Sequence, residues 1–314
     1  MTRLVADIGG TNARFALAEA GGDPFDERTL AVADHSGLAE AARAYLGGRQ
    51  VEEAVLAVAT PVEADEIRFT NSPWSFSIRE LGRALGTGRL AVINDFVAQA
   101  LAIPHLALRD LEVLHHGEPL PDRPVGVIGP GTGLGVAGLI PLRGRWHAIS
   151  TEGGHTSLAP GNARALALLG RTSGHFPHVS KERLISGPGL LTIVRGLAEL
   201  EGVGNPAGRP EDVAELARAG ASPLCSEAIE IFSAQLGAAA GDLALTYGAR
   251  GGVYICGGLC LSLGPLFDRA RFVERFLAKG RMRSYLAPVP VWLVHRTGTG
   301  LLGAARHVLD DLAA

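Results

Sequence analysis

The stretch LVADIGGTNARFALA, residues 4–18, decides the fold of the first part of the chain. Two short apolar runs, residues 4–8 and 13–18, flank four residues with the sequence GGTN. Glycine takes φ > 0 without steric cost, so adjacent glycines between two β-rich runs are typical of a hairpin turn. We therefore predict that the fold opens with two antiparallel strands joined at residues 9–12.

The same turn is suited to holding phosphate groups. Successive backbone N–H groups in a glycine turn form a concavity that binds anions, and Thr11 and Asn12 add neutral donors. Asp7, which ends the entering strand, can orient water molecules on a Mg²⁺ ion that bridges phosphates. The sequence thus predicts a nucleotide-phosphate site formed by Gly9, Gly10, Thr11 and Asn12, with Asp7 facing the magnesium ion through water.

A second segment repeats this pattern. Residues 125–140 also run from an apolar strand through a Gly/Thr turn into another apolar strand, and the turn holds Gly131, Thr132 and Gly133. Two domains that each open with the same hairpin would give this repeat, and the second turn would then hold phosphates from the other side. Chance similarity between two β-turns is the alternative.

Length and composition indicate a protein of two domains. The chain has 314 residues, of which 47% are hydrophobic, which suits about two domains of ~100–200 residues each. A net charge of −3 argues against a surface for nucleic acid or for an anionic membrane. Asp7 and the glycines interrupt the first apolar run, so it is neither a signal peptide nor a membrane span. We predict a soluble, cytoplasmic protein.

The cysteines Cys225, Cys256 and Cys260 are an odd and scattered set. Cys256 and Cys260 are four residues apart, but no second pair completes a zinc site. We therefore predict buried thiols in a reducing compartment.

Short strands alternate with helical patterns in the first hundred residues, which indicates an α/β domain with a mixed sheet. The helical patterns are Leu38–Leu46, Ile78–Leu85 and Phe96–Ile103, and Ile67–Thr70 is among the strand patterns. Pro104 and the Pro/Gly-rich residues 117–124 mark the junction to the next domain.

We predict a small domain at residues 1–110 and a large domain at residues 111–295, with a C-terminal helix from residues 296–314 packing back on the small domain. The large domain has helical patterns at 181–199 and 227–247.

Two common nucleotide-binding motifs are excluded. Neither lysine of the chain follows a glycine, so no G-x-x-x-x-G-K-[ST] sequence occurs. Gly133, Gly135 and Gly138 match G-x-G-x-x-G, but a Rossmann site requires a helix to begin there. The residues that follow, up to Pro141, instead indicate a strand.

Asp95 follows a buried-strand pattern, residues 90–93, and precedes a helical pattern. A carboxylate at the carboxyl end of a strand faces the crevice in which α/β sheets bind ligands. Asp95 can therefore accept a proton from an attacking hydroxyl, as an aspartate does in other phosphoryl-transfer enzymes. An aspartate that merely caps the helix is the alternative.

Two more glycine turns follow strands. Glu152 and His155 are separated by two glycines, which can aim a carboxylate and an imidazole at adjacent sugar hydroxyls. A metal site or an ordinary polar turn is the alternative. Gly257 and Gly258 would allow a flat adenosine to lie against the backbone, although glycines are also common in plain strand-to-helix turns.

The segment VSKERLISGPG, residues 179–189, is less informative by itself. Ser180 is suited to cap a short helix that Gly187-Pro188 ends. Glu182 is then an acid in the first helical turn, a position that is usually solvated.

Six segments, in this order, resemble the bacterial glucokinase family of the sugar kinase/heat-shock ATPase/actin superfamily. They are ADIGGTNARFAL (6–17), INDF (93–96), IGPGTGLGVA (128–137), EGGH (152–155), ERLISGPG (182–189) and ICGG (255–258). The resemblance covers essentially the whole chain. It implies an α/β, two-domain, ribonuclease H-like (actin-like ATPase) fold with an interdomain cleft.

The resemblance further implies a glucokinase that moves the γ-phosphoryl group of Mg·ATP to the 6-hydroxyl of D-glucose. Asp95 would be the base, and the other sugar ligands would be Asn94, Glu152, His155 and Glu182. The two glycine turns would hold phosphates, Gly257 and Gly258 would contact the adenosine, and the enzyme would be a homodimer. Residues 1–224 hold no cysteine, and no segment ahead of the first turn is long enough to bind DNA, which favours the branch of the superfamily without zinc.

Three other functions compete with this one. A kinase for another hexose or for an N-acylated amino sugar would differ in its activity across a panel of sugars. A non-catalytic sugar sensor would bind glucose without releasing ADP. A hydrolase related to exopolyphosphatases would release phosphate without a sugar acceptor.

Overall fold

The computed structural model describes residues 2–19, 21–69 and 72–309, which fall into two compact units. The first unit is the described part of Met1–Ala107, Trp146–Ser150 and Arg296–Ala314. The second unit comprises Leu108–Arg145 and Thr151–His295. Residues 146–150 group with the first unit, although they lie inside the large domain predicted at residues 111–295.

The first unit is built on a five-stranded sheet with the order β3-β2-β1-β4-β7. Its strands are β1 (Thr2–Ile8), β2 (Asn12–Glu19), β3 (Phe25–Ala31), β4 (Glu53–Val58) and β7 (Arg89–Asn94), and β5 (Glu66–Arg68) pairs separately with β6 (Ser75–Ser77). Its helices are α1 (Leu38–Leu46), α2 (Ile78–Leu85), α3 (Asp95–Ala102) and α11 (Thr299–Arg306).

Both faces of the central strands of this sheet are buried. Along β1, Leu4, Ala6 and Ile8 join the apolar cluster that includes residues of α1, whereas Val5 joins the cluster that includes residues of α3 and α11. Side chains alternate between the faces of a strand, so a continuous apolar run is required where helices cover both faces. The run at residues 4–8 therefore lies at the centre of a three-layer unit.

Helices α3 and α11 lie very close together. A Cβ on Gly303 of α11 would lie 1.7 Å from the carbonyl oxygen of Ala98 in α3, so only glycine fits there. At the other end of α11, the Arg3 guanidinium donates to the carbonyl oxygens of Ala305 and His307 and is paired with buried Glu53. Arg3, near the start of β1, thus fixes the C-terminal end of α11 against the sheet.

A six-stranded sheet has the order β11-β10-β9-β12-β13-β8. Its strands are β8 (Leu111–His115), β9 (Val125–Pro130), β10 (Leu134–Leu142), β11 (Arg145–Thr151), β12 (Val253–Ile255) and β13 (Val291–Val294). Trp146–Ser150 of β11 group with the first unit, and the other strands belong to the second unit. Its helices are α4 (Ala163–Ser173), α5 (Gly187–Glu201), α6 (Pro210–Arg218), α7 (Pro223–Tyr247), α8 (Gly258–Leu263), α9 (Arg269–Leu277) and α10 (Arg283–Leu286).

The two sheets repeat one topology. In the first unit, β1 pairs antiparallel with β2 and parallel with β4, which pairs parallel with β7. In the second unit, β9 pairs antiparallel with β10 and parallel with β12, which pairs parallel with β13. The similar sequence patterns of residues 4–18 and 125–140 therefore reflect a repeated hairpin in a repeated sheet topology. They are not a chance similarity of two turns.

Helix α7 crosses the core of the second unit. Of the helices in the described chain, it is the one long and apolar enough by composition to span a membrane, but 72% of its apolar window is buried inside the protein. Gly237 and Gly241 let it approach α9, because a Cβ on either would lie within 2.6 Å of a carbonyl oxygen of that helix. Its apolar character is explained by this packing.

Several local predictions are confirmed and others are wrong. The helices Leu38–Leu46 and Ile78–Leu85 are found with the predicted bounds. The predicted helix 181–199 is wrong, because a short 3-10 turn at Lys181–Arg183 is followed by a separate helix, α5. Gly187-Pro188 begins α5 instead of ending a helix, since proline suits the first helical turn.

The termini of other predicted elements also differ. The helix predicted at residues 96–103 is α3, which begins one residue earlier. The last helix ends at Arg306, and the predicted strand at 67–70 is the short strand β5; Thr70 and residues 310–314 lie outside the described residues. Ser180 precedes its 3-10 turn without a side-chain capping bond.

Candidate active site

The first glycine turn joins β1 to β2 and is open to solvent. The Gly9 N–H donates to the Asn12 carbonyl oxygen over 2.9 Å, and the Val32 N–H donates to the Thr11 carbonyl oxygen over 2.9 Å. The side chains of Thr11 and Asn12 are exposed and are joined by a 3.3 Å hydrogen bond. The turn therefore presents its polar groups outward, as a phosphate cradle requires.

Asp7 lies beside this turn in a crowded position. A Cβ on Gly300, at the start of α11, would lie 2.7 Å from Asp7 Oδ2, so glycine is needed there to make room for the carboxylate. Arg14 is opposite Asp7 in the hairpin register, with 3.9 Å between its Nη1 and Asp7 Oδ2. Neither Arg14 nor Gly300 is a sequence-predicted site residue, although the hairpin register alone pairs residue 7 with residue 14.

The Asp7 carboxylate is 22% exposed, and its pKa is raised. Desolvation raises the pKa, the Arg14 guanidinium opposes the shift, and the nearby Glu27 carboxylate adds to it. A carboxylate whose charge is poorly solvated is stabilised by a bound cation. Mg²⁺ is commonly held by one or two carboxylates together with water and phosphate oxygens, and the donor set at Asp7 fits that pattern.

A metal site made entirely of protein ligands would need several His, Cys, Asp or Glu side chains close together. Among residues 2–19, 21–69 and 72–309, no group of three or more His, Cys, Asp or Glu side chains is arranged to hold a metal ion. In the same ranges Cys225, Cys256 and Cys260 are free and buried, as predicted. Burial raises the pKa of the Cys256 thiol to about 12, which makes it unreactive.

The structure separates the roles of Asn94 and Asp95. Asn94 Oδ1 accepts from the N–H groups of Phe96 (2.9 Å) and Val97 (3.3 Å), so Asn94 is the N-cap of α3. Asp95 is the first residue inside the helix, and its Oδ1 accepts from the Phe96 N–H over 2.9 Å. The alternative in which Asp95 is the cap is therefore wrong.

The polar residues of the first unit gather at one edge of its sheet. Ile8, Val58 and Asn94 are neighbours in the register of three parallel strands and end those strands. Parallel strands present their carboxyl ends at the same edge, where α/β sheets bind ligands. This edge carries the first glycine turn, Asp7, Asn94 and Asp95.

The second glycine turn joins β9 to β10 and is braced by neighbouring segments. The Gly131 N–H donates to the Gly133 carbonyl oxygen, and the Gly187 N–H donates to the Gly131 carbonyl oxygen, each over 2.8 Å. Glu182 Oε2 accepts from the Leu134 N–H over 2.9 Å. A Cβ on Gly133 would lie 2.6 Å from that same oxygen, so the carboxylate rests directly against the turn.

Gly257 and Gly258 contribute differently. Gly257 has a φ of 86°, and a Cβ there would lie 2.6 Å from the Pro130 carbonyl oxygen, next to the second glycine turn. Backbone conformation and space both require glycine at this position. At Gly258 a Cβ would meet open space, so this residue leaves a surface that a flat ligand can contact.

The turn with Glu152 and His155 lies on β10. A Cβ on Gly154 would lie 2.0 Å from the Leu134 carbonyl oxygen, so this glycine is what lets the turn approach the strand. His155 Nε2 is 3.8 Å from Glu152 Oε2, and both side chains are more than half exposed, at 59% and 55%. Glu182 therefore contacts Leu134 at its N–H, and the turn that carries Glu152 and His155 contacts Leu134 at its carbonyl oxygen through Gly154. Leu134 directly follows the second glycine turn.

Thr156 and Ser157 connect this turn to the segment that carries Glu182. Thr156 Oγ1 donates to the Gly153 carbonyl oxygen over 2.8 Å, and the Lys181 N–H donates to the Thr156 carbonyl oxygen over 2.9 Å. Ser157 pairs with Ser180 in an isolated antiparallel bridge. The two segments are therefore held side by side by backbone pairing.

Comparison with solved structures identifies the class of protein that has this architecture. The structure of a glucokinase from an Antarctic psychrotroph superposes with a TM-score of 0.88 at 38% identity, covering 97% of this chain and 98% of that one. The fold is that of the sugar kinases with an actin-like ATPase architecture.

Sequence comparison is more specific. The family model described as Glucokinase matches residues 4–311. The glucokinase of Chromobacterium violaceum is 48% identical over 314 residues, covering 99% of this chain and 90% of that protein. The glucokinase of Chromohalobacter salexigens is 46% identical over 317 residues, covering 99% of each. The chain belongs to the glucokinase family, as its resemblance to that family predicted.

Proposed function

We propose that this protein transfers the γ-phosphoryl group of Mg·ATP to the 6-hydroxyl of D-glucose, giving glucose 6-phosphate and ADP. The position of Asp95 is the observation that carries the proposal. Asp95 is the first residue of α3, at the edge of the first sheet where β1, β4 and β7 present their carboxyl ends, and Asn94 supplies the cap of that helix. This position supports a role for Asp95 in the reaction, and family membership supports the reaction class.

In the proposed reaction, the oxygen of the 6-hydroxyl attacks the γ-phosphorus while its proton passes to the Asp95 carboxylate. The new O–P bond forms as the bond between the γ-phosphorus and the β–γ bridging oxygen breaks, and ADP leaves. A positioned base contributes roughly 10²–10⁴-fold to such a step. When bound, Mg²⁺ supplies neutralisation of charge on the phosphates.

The remaining residues bind and orient the substrates. We assign phosphate binding to Gly9, Gly10, Thr11 and Asn12 in one turn and Gly131, Thr132 and Gly133 in the other. The exposed Glu152 and His155 are suited to hold hydroxyls of the sugar, with Asn94 and Glu182. The open surface at Gly258, next to Gly257, suits the adenosine. Asp7 would face the magnesium ion through water.

The test is glucose-dependent release of ADP in a coupled assay, with and without Mg²⁺, followed by a panel of sugars. We expect release with glucose and Mg²⁺, and identification of glucose 6-phosphate as the product. A higher kcat/KM with fructose, mannose or an N-acylated amino sugar would move the assignment to another hexose kinase. Glucose binding without ADP release would identify a sensor, and phosphate release without sugar would identify a hydrolase.

Two properties of the working enzyme complete the proposal. We infer a homodimer from family membership, and sedimentation equilibrium should give twice the mass of the chain. We infer a cytoplasmic location, because the three cysteines are free and ATP is the phosphoryl donor. Fractionation of the cells that express it, with an activity assay on each fraction, tests the location.

A further inference from the structure

The two lysines of this chain meet at one carboxylate. Lys181 and Lys279 are the only lysines among 29 basic residues, and both approach Asp242 of helix α7. Lys279 Nζ is 2.5 Å from Asp242 Oδ1, and Lys181 Nζ is 3.5 Å from Asp242 Oδ2. The lysine side chains are 15% and 17% exposed, so these ion pairs are partly shielded from water. We name Lys181, Asp242 and Lys279 the lysine bridge.

The Lys279 arm of the bridge belongs to helix packing. Lys279 Nζ also donates to the Ala238 carbonyl oxygen over 2.9 Å, so it joins the chain after α9 to the backbone of α7. A Cβ on Gly241 would lie 2.8 Å from Lys279 Cε, which shows how closely the lysine stem lies against α7. This arm makes no contact with the candidate sugar-binding residues among the interactions found in the described chain.

The Lys181 arm leads to the candidate active site. Lys181 begins the 3-10 turn that carries Glu182, and Glu182 Oε2 holds the Leu134 N–H beside the second glycine turn. The Lys181 N–H donates to the carbonyl oxygen of Thr156, the residue directly after His155. Lys181 is therefore the residue at which α7, the Glu182 turn and the His155 turn are joined.

We propose that Asp242 and Lys181 are positioning residues that hold Glu182 and the His155 turn in the geometry needed to bind the sugar. This inference rests on the proposed function. The Asp242 carboxylate gives the Lys181 ammonium a fixed partner on the rigid core helix. Without that partner, the Lys181 side chain no longer ties this short turn to α7, and the Glu182 carboxylate is less well placed to bind a hydroxyl.

The test compares the two arms of the lysine bridge. We expect Lys181→Met to raise the KM for glucose about fivefold while kcat stays within about twofold, since a partly shielded ion pair contributes up to about that factor. Lys279→Met should lower the melting temperature and leave the KM for glucose within about 1.5-fold. Asp242→Asn should both raise the KM for glucose and lower the melting temperature. Lys181→Arg keeps a positive charge and should have a KM for glucose within about twofold of the wild-type value.

Two results would overturn the proposal. One is a wild-type KM for glucose in Lys181→Met, and the other is an equal rise in KM in Lys279→Met, which would indicate general loosening of the second unit. Lys181 lies on a turn at the edge of the core, so Lys181→Met keeps the test available if Asp242→Asn does not fold. Wild-type protein that releases no ADP with glucose would instead contradict the proposed function, and is measured first.

Discussion

The two glycine turns have the same hairpin topology, but the acidic side chains beside them, Asp7 and Glu182, have different surroundings. Next to the first turn, Asp7 is partly desolvated, has a raised pKa and has Arg14 3.9 Å away. Next to the second turn, Glu182 is hydrogen-bonded to the backbone N–H of Leu134 and lies against Gly133. The first acid is placed to gain from a cation, whereas the second braces its turn by a hydrogen bond to the backbone. If both turns bind phosphate as we propose, the same hairpin topology serves that task with two different acidic neighbours.

Among the effects that bear on this comparison of the two turns, the largest is expected at Gly133 in the second turn. In Gly133→Ala, the new Cβ would lie 2.6 Å from Glu182 Oε2, so the carboxylate must move and the Leu134 N–H loses its acceptor. An unsatisfied buried donor costs about 1–3 kcal/mol, so kcat/KM should fall about 10- to 100-fold.

Gly170→Ala, on the exposed surface of α4, is the control, because a Cβ at Gly170 meets nothing within 4 Å and neither Gly170 nor Gly133 has a left-handed φ. We expect kcat/KM to stay within about threefold for this variant. Steady-state kinetics with glucose and ATP measures both variants. Equal losses in the two would show that the bond between Glu182 and Leu134 is unimportant.

The second prediction concerns the charge beside the first turn. Because the folded state raises the pKa of Asp7, it binds the proton more tightly than the unfolded chain does. Protonated Asp7 stabilises the folded protein fully when the pH is below the pKa of this group in the unfolded chain, about 4. This stabilisation is lost as the pH rises through the pKa of Asp7 in the folded protein. Asp7→Asn should therefore melt at a higher temperature than wild type at pH 8 without Mg²⁺, and the difference should shrink at lower pH.

Asp65 offers a control with the opposite sign. A hydrogen bond from Ser77 lowers the pKa of Asp65, with further help from Arg79, so its stabilising effect is present above the unfolded pKa and is lost as the pH falls. Asp65→Asn should thus melt at a lower temperature at pH 8. Calorimetry at pH 5 and pH 8 compares the three proteins, and an Asp7→Asn protein less stable than wild type at pH 8 would contradict the account of the first turn.

The smallest effect concerns the cap of α3. Asn94→Ala should lower the free energy of unfolding by about 1 kcal/mol, because the Val97 N–H loses its side-chain acceptor and the Phe96 N–H keeps only Asp95 Oδ1. Asn94→Asp keeps an acceptor and should retain most of that stability. Urea denaturation of the two variants measures the difference. An unchanged free energy of unfolding in Asn94→Ala would mean that α3 does not depend on this cap. It would favour a capping role for Asp95 instead.

Local patterns predicted the parts of the fold that local forces decide. The hairpins at both glycine turns follow from apolar runs around glycine, and α1 and α2 follow from helical periodicity closed by Gly47 and Gly86 in the left-handed conformation. Strand β8 carries no comparable signal, because it exists through pairing with β13 far along the chain. The start of α5 had a local signal that was misjudged, since Ser186 caps it and Pro188 lies in its first turn.

In the candidate site, too, local sequence patterns predict single residues but not the long-range contacts between them. Glycines, Asp95, Glu152 and His155 could be selected from motifs because each stands at a turn after a strand. The contact of Glu182 with Leu134 joins residues 48 positions apart, and the fit of Gly300 to Asp7 joins the two ends of the chain. Such contacts depend on tertiary packing, so one sequence by itself does not reveal them.

The most direct measurement is the turnover number of Asp95→Asn, determined together with its melting temperature and its affinity for glucose. Because Asn94 supplies the cap and asparagine keeps an acceptor for the Phe96 N–H, the variant should fold and bind glucose as wild type does. It has no carboxylate to take the proton, so kcat should fall roughly 10²–10⁴-fold. Turnover close to that of wild type in this folded variant would contradict the role of Asp95 as the base.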